Sequence, residues 1–249
     1  RYFAGMMGAK KDVSFTGAMD GEALVLVTGA SRGVGAATVQ ALVHAHGARV
    51  IAIARDGDRL ASSLAGIACE RVVADVGTAE GRALVAQAVA GRPVRALVNN
   101  AGLFRSRPFG AWSMADLEEV FRVNAHAPLL LVQELLPLLA AAAPAHVVNI
   151  GSMGGVQGSA KFPGLVGYSA SKAALACVAE CIAEELKERG VRCNCLSLGA
   201  VDTEMLREAF PGYQAPVTAD QVGAFVARFA LEAHKLLNGK VIPLALSTP

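Results

Sequence analysis

The chain has 249 residues, 53% of them hydrophobic in the broad sense and 18% charged. That is the make-up of a well-buried α/β core and excludes a disordered chain. A net charge of +2 gives no reason to expect nucleic acid or an anionic membrane as partner.

The first 21 residues carry no periodic pattern and no continuous apolar run of the signal-peptide kind. Residues 1–21 are therefore set aside as an N-terminal tail, non-native or disordered. From Ala23 short aliphatic runs alternate with longer helical patterns. Residues 23–28 read as a buried strand and 33–47 as a helix stopped by Gly47. Residues 48–54 are a second strand, 58–66 a short helix and 71–75 a third strand. Residues 78–90 return as helix and 94–100 as strand. A long helix follows from Ser113 to Ala142. Its most apolar stretch, residues 127–145, is interrupted by Gln133, Glu134 and Pro137, so it reads as a buried or interfacial helix and not as a membrane span. Then come a strand over 145–152, a long helix ending near Gly190, a strand over 191–197, and a last strand near the C-terminus. Strands alternating with such helices predict βαβ units, hence one doubly wound α/β domain with a parallel sheet covered on both faces.

The five cysteines, Cys69, Cys177, Cys181, Cys193 and Cys195, are an odd number with no signal peptide ahead of them. They read as reduced thiols of a cytoplasmic protein, buried as small hydrophobes. A four-thiolate zinc site is conceivable, but the pairs lack the usual knuckle spacing, and no metal is expected. The five histidines form no ligand or triad pattern and read as structural.

Between the first strand and helix lies Thr28-Gly-Ala-Ser-Arg-Gly-Val-Gly35. Three glycines at one turn are costly unless something must come close. At a strand-to-helix junction that something is a phosphate meeting backbone N–H groups and the positive end of the helix dipole. Where NAD would call for an acid, about 20 residues on, stand Ala54 and then Arg55. With Arg32 inside the turn, a pair of guanidiniums suits a 2′-phosphate, so NADP(H) is favoured over NAD(H). Asp56 could instead supply the acid; the preferred reading makes it the N-cap of the next helix.

The glycine spacing, with Asn99-Asn-Ala-Gly102 after the fourth strand, Asn124 in the next helix, Ser152 ending the fifth strand and Tyr168-Ser-Ala-Ser-Lys172, resembles the short-chain dehydrogenase/reductase family, in its single-domain branch of about 250 residues. These matches span Val25 to Thr203. The resemblance implies a doubly wound Rossmann-like fold with a seven-stranded parallel sheet, making residues 22–249 a single catalytic domain. It further implies a nicotinamide cofactor held by Gly29, Ser31, Arg32, Gly33, Val34, Gly35, Arg55, Asp75 and Val76. Asn100, Ala101, Gly102, Tyr168, Lys172, Gly199, Val201 and Thr203 would complete that set. Asp75 could equally be an ordinary strand-end aspartate.

By resemblance Tyr168 is the general acid/base, Lys172 lowers its pKa and holds the nicotinamide ribose, and Ser152 bonds the substrate oxygen. Asn124 anchors a water that relays protons. A free tyrosine titrates near 10, and bringing it to ~7 takes on the order of 4 kcal/mol, which a lysine one helical turn away can help to supply.

Leu198 stands where the family has proline, which predicts a less rigid loop before Gly199. The stretch between Ser152 and Tyr168 is longer than usual, and Phe162, Leu165 and Val166 either wall an apolar substrate or bulge into solvent. Met205, Leu206, Phe210 and Tyr213 are further candidates for the substrate pocket. The expected activity is NADPH-dependent reduction of a ketone or aldehyde to an alcohol; the alternative is a catalytically silent NADPH-binding regulator or scaffold. The resemblance implies a homodimer or homotetramer packed through the two long helices, and the small residues over 170–180 would allow that close contact.

Overall fold

The computed structural model describes residues 23–246; the tail of residues 1–21 lies outside them. Elements alternate as expected. They begin with β1 (Leu24–Thr28), α1 (Gly33–His46), β2 (Arg49–Ala54), α2 (Gly57–Ser63), β3 (Glu70–Val73), α3 (Ala79–Val89) and β4 (Ala96–Asn99). α4 (Met114–Phe121) runs through a π-helical segment (Arg122–His126) into α5 (Ala127–Ala141). β5 (Ala145–Ser152), α6 (Val166–Glu185), β6 (Val191–Leu198), β7 (Val201–Asp202), α7 (Glu204–Ala209), β8 (Val217–Thr218), α8 (Ala219–Glu232) and β9 (Lys240–Leu244) complete the described chain.

Seven strands form one sheet in the order β3-β2-β1-β4-β5-β6-β9, every pair parallel. The order reverses between β1 and β4, so the crossovers leaving them pass to opposite faces and open a crevice at the carboxyl ends of the strands. β1 shows why its first four residues must be apolar. Val25 and Val27 point into the core shared with α1 and α8, while Leu24 and Leu26 point into the core shared with α3, α5 and α6. Each such side chain, once fully buried, contributes about 1.5–3 kcal/mol. The apolar stretch of α5 covers a sheet face, with Leu131, Leu135 and Leu139 buried.

The caps follow the local chemistry. Gly47 takes φ 61° and closes α1, and Asp56 accepts from Arg59 N, so its carboxylate caps α2. The helix after Ser113 is continuous but not uniform. Pro128 has no N–H for the carbonyl of Asn124 four residues back, and the i→i+5 segment sits at that point. Cys193 and Cys195 are buried as expected, but Cys177 and Cys181 are exposed on the outer side of α6. One helical turn apart, they share the side of α6 that faces away from the sheet.

Candidate active site

At the crevice, the glycine turn is locked by close approach. A Cβ on Gly35 would lie 2.3 Å from the Gly29 carbonyl oxygen and 2.4 Å from Asn100 Nδ2. One on Gly29, at φ 67°, would lie 2.8 Å from Ala101 Cα. The loop after β4 is stitched to this turn: Asn100 Nδ2 donates to the carbonyls of Thr28 and Gly29, and the amides of Asn100 and Ala101 both donate to Thr28 Oγ1. Gly35 does not line the crevice; its part is to let α1 pack against the turn. The buried Thr28 hydroxyl, which the sequence reading left out, is the pin between the two motifs.

Five helices, α2, α3, α4, α7 and α8, receive a side-chain N-cap from Asp56, Thr78, Ser113, Thr203 and Thr218. α1 receives none, and its first residues, Gly33 and Val34, line the crevice with Ser31 and Arg32. A helix start whose amides lack a side-chain cap, reached through glycines, is chemically suited to a pyrophosphate. The crevice, about 440 Å³, continues past Arg55, Asp75 and Val76 on one side and Asn100, Ala101 and Gly102 on the other. It passes Gly199, Val201 and Thr203 and ends among Ser152, Tyr168 and Lys172. These linings fit a dinucleotide laid across the strand ends.

At its inner end, α6 carries Tyr168 in its first turn and Lys172 one turn on, facing the end of β5. Ser152 bonds the Tyr168 phenol, and Phe104 lies edge-on to the phenol ring at a centroid distance of 5.4 Å. Burial pushes the phenol up, and the Ser152 bond opposes it only in part. Lys172, 4% exposed, donates from Nζ to the Ile150 carbonyl at 2.8 Å, and burial lowers it to about 8. The expected lowering of the phenol by Lys172 is therefore not met in the protein alone: burial dominates, and the ammonium is directed at a backbone carbonyl.

Asn124 does not line the crevice but is fully buried beneath it. Its Nδ2 donates to Leu103 O and Ser171 Oγ, and its Oδ1 accepts from Leu103 N. Ser171 Oγ in turn donates to Tyr168 O. The Asn124 backbone carbonyl, which Pro128 cannot serve, is left as an acceptor for a water.

Phe162, Leu165, Met205, Leu206 and Phe210 all line the inner crevice, and the rings of Phe162 and Phe210 meet edge-on at 5.1 Å. Tyr213, against expectation, does not line it; nor does Val166, which is exposed, the solvent-facing one of its two readings. Phe104 and Met153 do, although no local pattern marked them. Leu198 also lines the crevice, and its loop is not loose: the β6–β9 pairing runs through Leu198, and Gly199 N donates to Leu244 O at 2.9 Å. At the outer end, Arg32 does not stand with Arg55 as expected. Arg55 faces Asp75 at 4.0 Å, while Arg32 meets Glu204, which also contacts Arg59. Neither Arg59 nor Glu204 was foreseen.

The sequence profile described as short chain dehydrogenase matches residues 23–214. The chain is 32% identical over 244 residues to the rhamnolipids biosynthesis 3-oxoacyl-(acyl-carrier-protein) reductase of Pseudomonas aeruginosa, covering 89% of this chain and 94% of that protein. It is 33% identical over 184 residues to carbonyl reductase (NADPH) 2 of Sus scrofa, covering 73% of each. The solved RhlG/NADP active-site complex of Pseudomonas aeruginosa superposes with a TM-score of 0.80 at 30% identity, over 90% of this chain and 94% of that one. The chain thus belongs to the short-chain dehydrogenase/reductase family and is an NAD(P)-dependent oxidoreductase.

Proposed function

We propose that the protein reduces an uncharged, apolar ketone or aldehyde with NADPH, the proton coming from Tyr168. One observation carries this reading: a Ser152–Tyr168 pair, with Lys172 behind it, opens onto a crevice end walled by Phe104, Met153, Phe162, Leu165, Leu206 and Phe210. Such a wall suits aliphatic or aromatic substrates and leaves sugar hydroxyls without partners.

When bound, the cofactor supplies the hydride. The glycine turn and the start of α1 would hold its pyrophosphate, and Lys172 its nicotinamide ribose. Ser152 Oγ and the Tyr168 hydroxyl would bracket the substrate's carbonyl oxygen. Burial keeps the phenol protonated at neutral pH, the state an acid needs at the start of a reduction. Lys172 faces the same pocket and would stabilise the phenolate left after transfer. Ser171, Asn124 and the Leu103 backbone hold the start of α6 in place.

The test is NADPH oxidation by purified protein over a panel of aliphatic and aryl ketones, aldehydes and ketoses. Turnover is expected with the apolar carbonyls. Tyr168→Phe should lower kcat by about 10² or more; a change of only a few-fold would remove Tyr168 as the acid. Kinship with a 3-oxoacyl-(acyl-carrier-protein) reductase and a carbonyl reductase supports the same direction of search.

The protein is also proposed to self-associate through α5 and α6. Leu129, Pro137, Val166, Ala170 and Ala173 are exposed on these helices, an apolar face that a second copy would cover. Sedimentation at micromolar concentration should show a dimer or tetramer, and a monomer would refute it.

A further inference from the structure

Three charged side chains from distant parts of the chain meet at the outer end of the crevice. Arg32 comes from the glycine turn, Arg59 from α2 and Glu204 from the first position of α7. Arg32 Nη1 lies 2.7 Å from Glu204 Oε2, and Arg59 Nη2 contacts Glu204 Oε1. Each carboxylate oxygen thus has its own guanidinium. The two arginines hold the Glu204 carboxyl below its usual range.

A carboxylate gripped between two guanidiniums marks an anion site that the chain fills with its own side chain. Its position is informative, because Arg32, Arg59 and Glu204 all line the crevice at the end away from Tyr168. The same stretch carries Gly33, whose Cβ would come within 3.2 Å of Thr203, so the start of α7 rests on the glycine turn. All three side chains are about two-fifths exposed, and ion pairs at such exposure are worth only about 0–1 kcal/mol. A phosphate monoester brings roughly −1.5 to −2 charges and three acceptor oxygens at pH 7, against one charge and two oxygens for the carboxylate. Two further charges line the same crevice: Asp56, whose carboxylate accepts from the Arg59 amide, and Arg55, which faces Asp75 at 4.0 Å.

We infer that Glu204 is a built-in competitor for the 2′-phosphate of NADP(H), displaced when that phosphate enters between Arg32 and Arg59. This rests on the proposed use of NADPH. It assigns a specificity role to Arg59 in place of Arg55. It also joins the two ends of the crevice, since Glu204 directly precedes Met205 and Leu206 of the substrate wall.

The test measures binding, not turnover. Dissociation constants of the full chain for 2′,5′-ADP, 5′-AMP, NADPH and NADH are compared among wild type, Glu204→Gln, Arg59→Met and Arg32→Met. Glu204→Gln should tighten 2′,5′-ADP and NADPH by about five- to tenfold and leave 5′-AMP and NADH within about twofold. Arg59→Met should weaken the two phosphate-bearing ligands by about tenfold, with NADH unaffected. Amide exchange over residues 204–209 should change on adding 2′,5′-ADP and not on adding 5′-AMP. Should Glu204→Gln misfold, Glu204→Ala and this exchange measurement on wild type carry the test. If NADPH is preferred and Arg32→Met abolishes the preference while Glu204→Gln has no effect, Glu204 is no competitor and the use of NADPH stands. If NADPH binds no better than NADH in wild type and in Glu204→Gln alike, the cofactor reading itself falls.

Discussion

Lys172 shows how one residue serves two opposed demands. The proposed catalysis calls for a cation behind the phenol, yet burial disfavours that cation and lowers the lysine from 10.5 to about 8. The sign of its linkage to stability follows. The folded state binds the proton less tightly than the unfolded chain, so the penalty is present in full below pH 8 and relieved as pH rises from about 8 toward 10.5. Measured by thermal unfolding, wild type should gain stability relative to Lys172→Met across that window. A Tm difference flat from pH 7 to 10 would show that Lys172 is not desolvated in this way. Tyr168 and Lys172 were legible in the sequence because i and i+4 stand on one helical face whatever the rest of the fold does. The direction of the phenol's pKa was not legible, since it depends on Phe104, Ser152 and the sheet that surround it.

At the scale of the element, the long helix between β4 and β5 is the informative case. Its existence was readable from apolar periodicity, and its start from Ser113 and Asp116, which form a capping box. The π segment that carries Asn124 was not foreseen, although its cause, Pro128 four residues on, stands in the sequence. Pro128→Ala would restore the missing donor and favour a regular α-helix. The expected result is an unchanged or raised Tm with a fall in kcat of several-fold, as Asn124 turns away from Leu103 and Ser171. Unchanged kinetics would mean that the π geometry plays no part in catalysis. The end of β6 teaches the opposite lesson. Losing a proline was expected to loosen the loop, but Leu198 keeps an N–H and a side chain, and the strand pairs with β9 through it.

Across the whole molecule, acid sensitivity is set far from the chemistry. His146 is fully buried between β5 and α8, bonding the Ala230 carbonyl through Nδ1, while Asn194 donates to its Nε2. Burial lowers it to about 3, and burial together with Arg95 lowers His234 to about 4. Both must be neutral in the folded state, so the stability they allow is intact above about pH 6.5 and is lost progressively as pH falls toward 3–4. Urea unfolding at pH 7, 5.5 and 4.5 should show this decline, with a shallower one in His146→Gln; equal slopes would locate acid sensitivity elsewhere.

The sequence by itself determined the alternation of strand and helix, the glycine turn and the order Asn124, Ser152, Tyr168, Lys172. These rest on local rules: period, capping, backbone freedom and one-turn spacing. Only the tertiary structure decided that Gly35 packs helix to turn, that Phe104 and Met153 wall the inner end of the crevice while Tyr213 does not, and that Arg32 and Arg59 both meet Glu204. Those are encounters across as many as 172 residues of chain. No local rule encodes them, because each depends on where the sheet order brings two loops together.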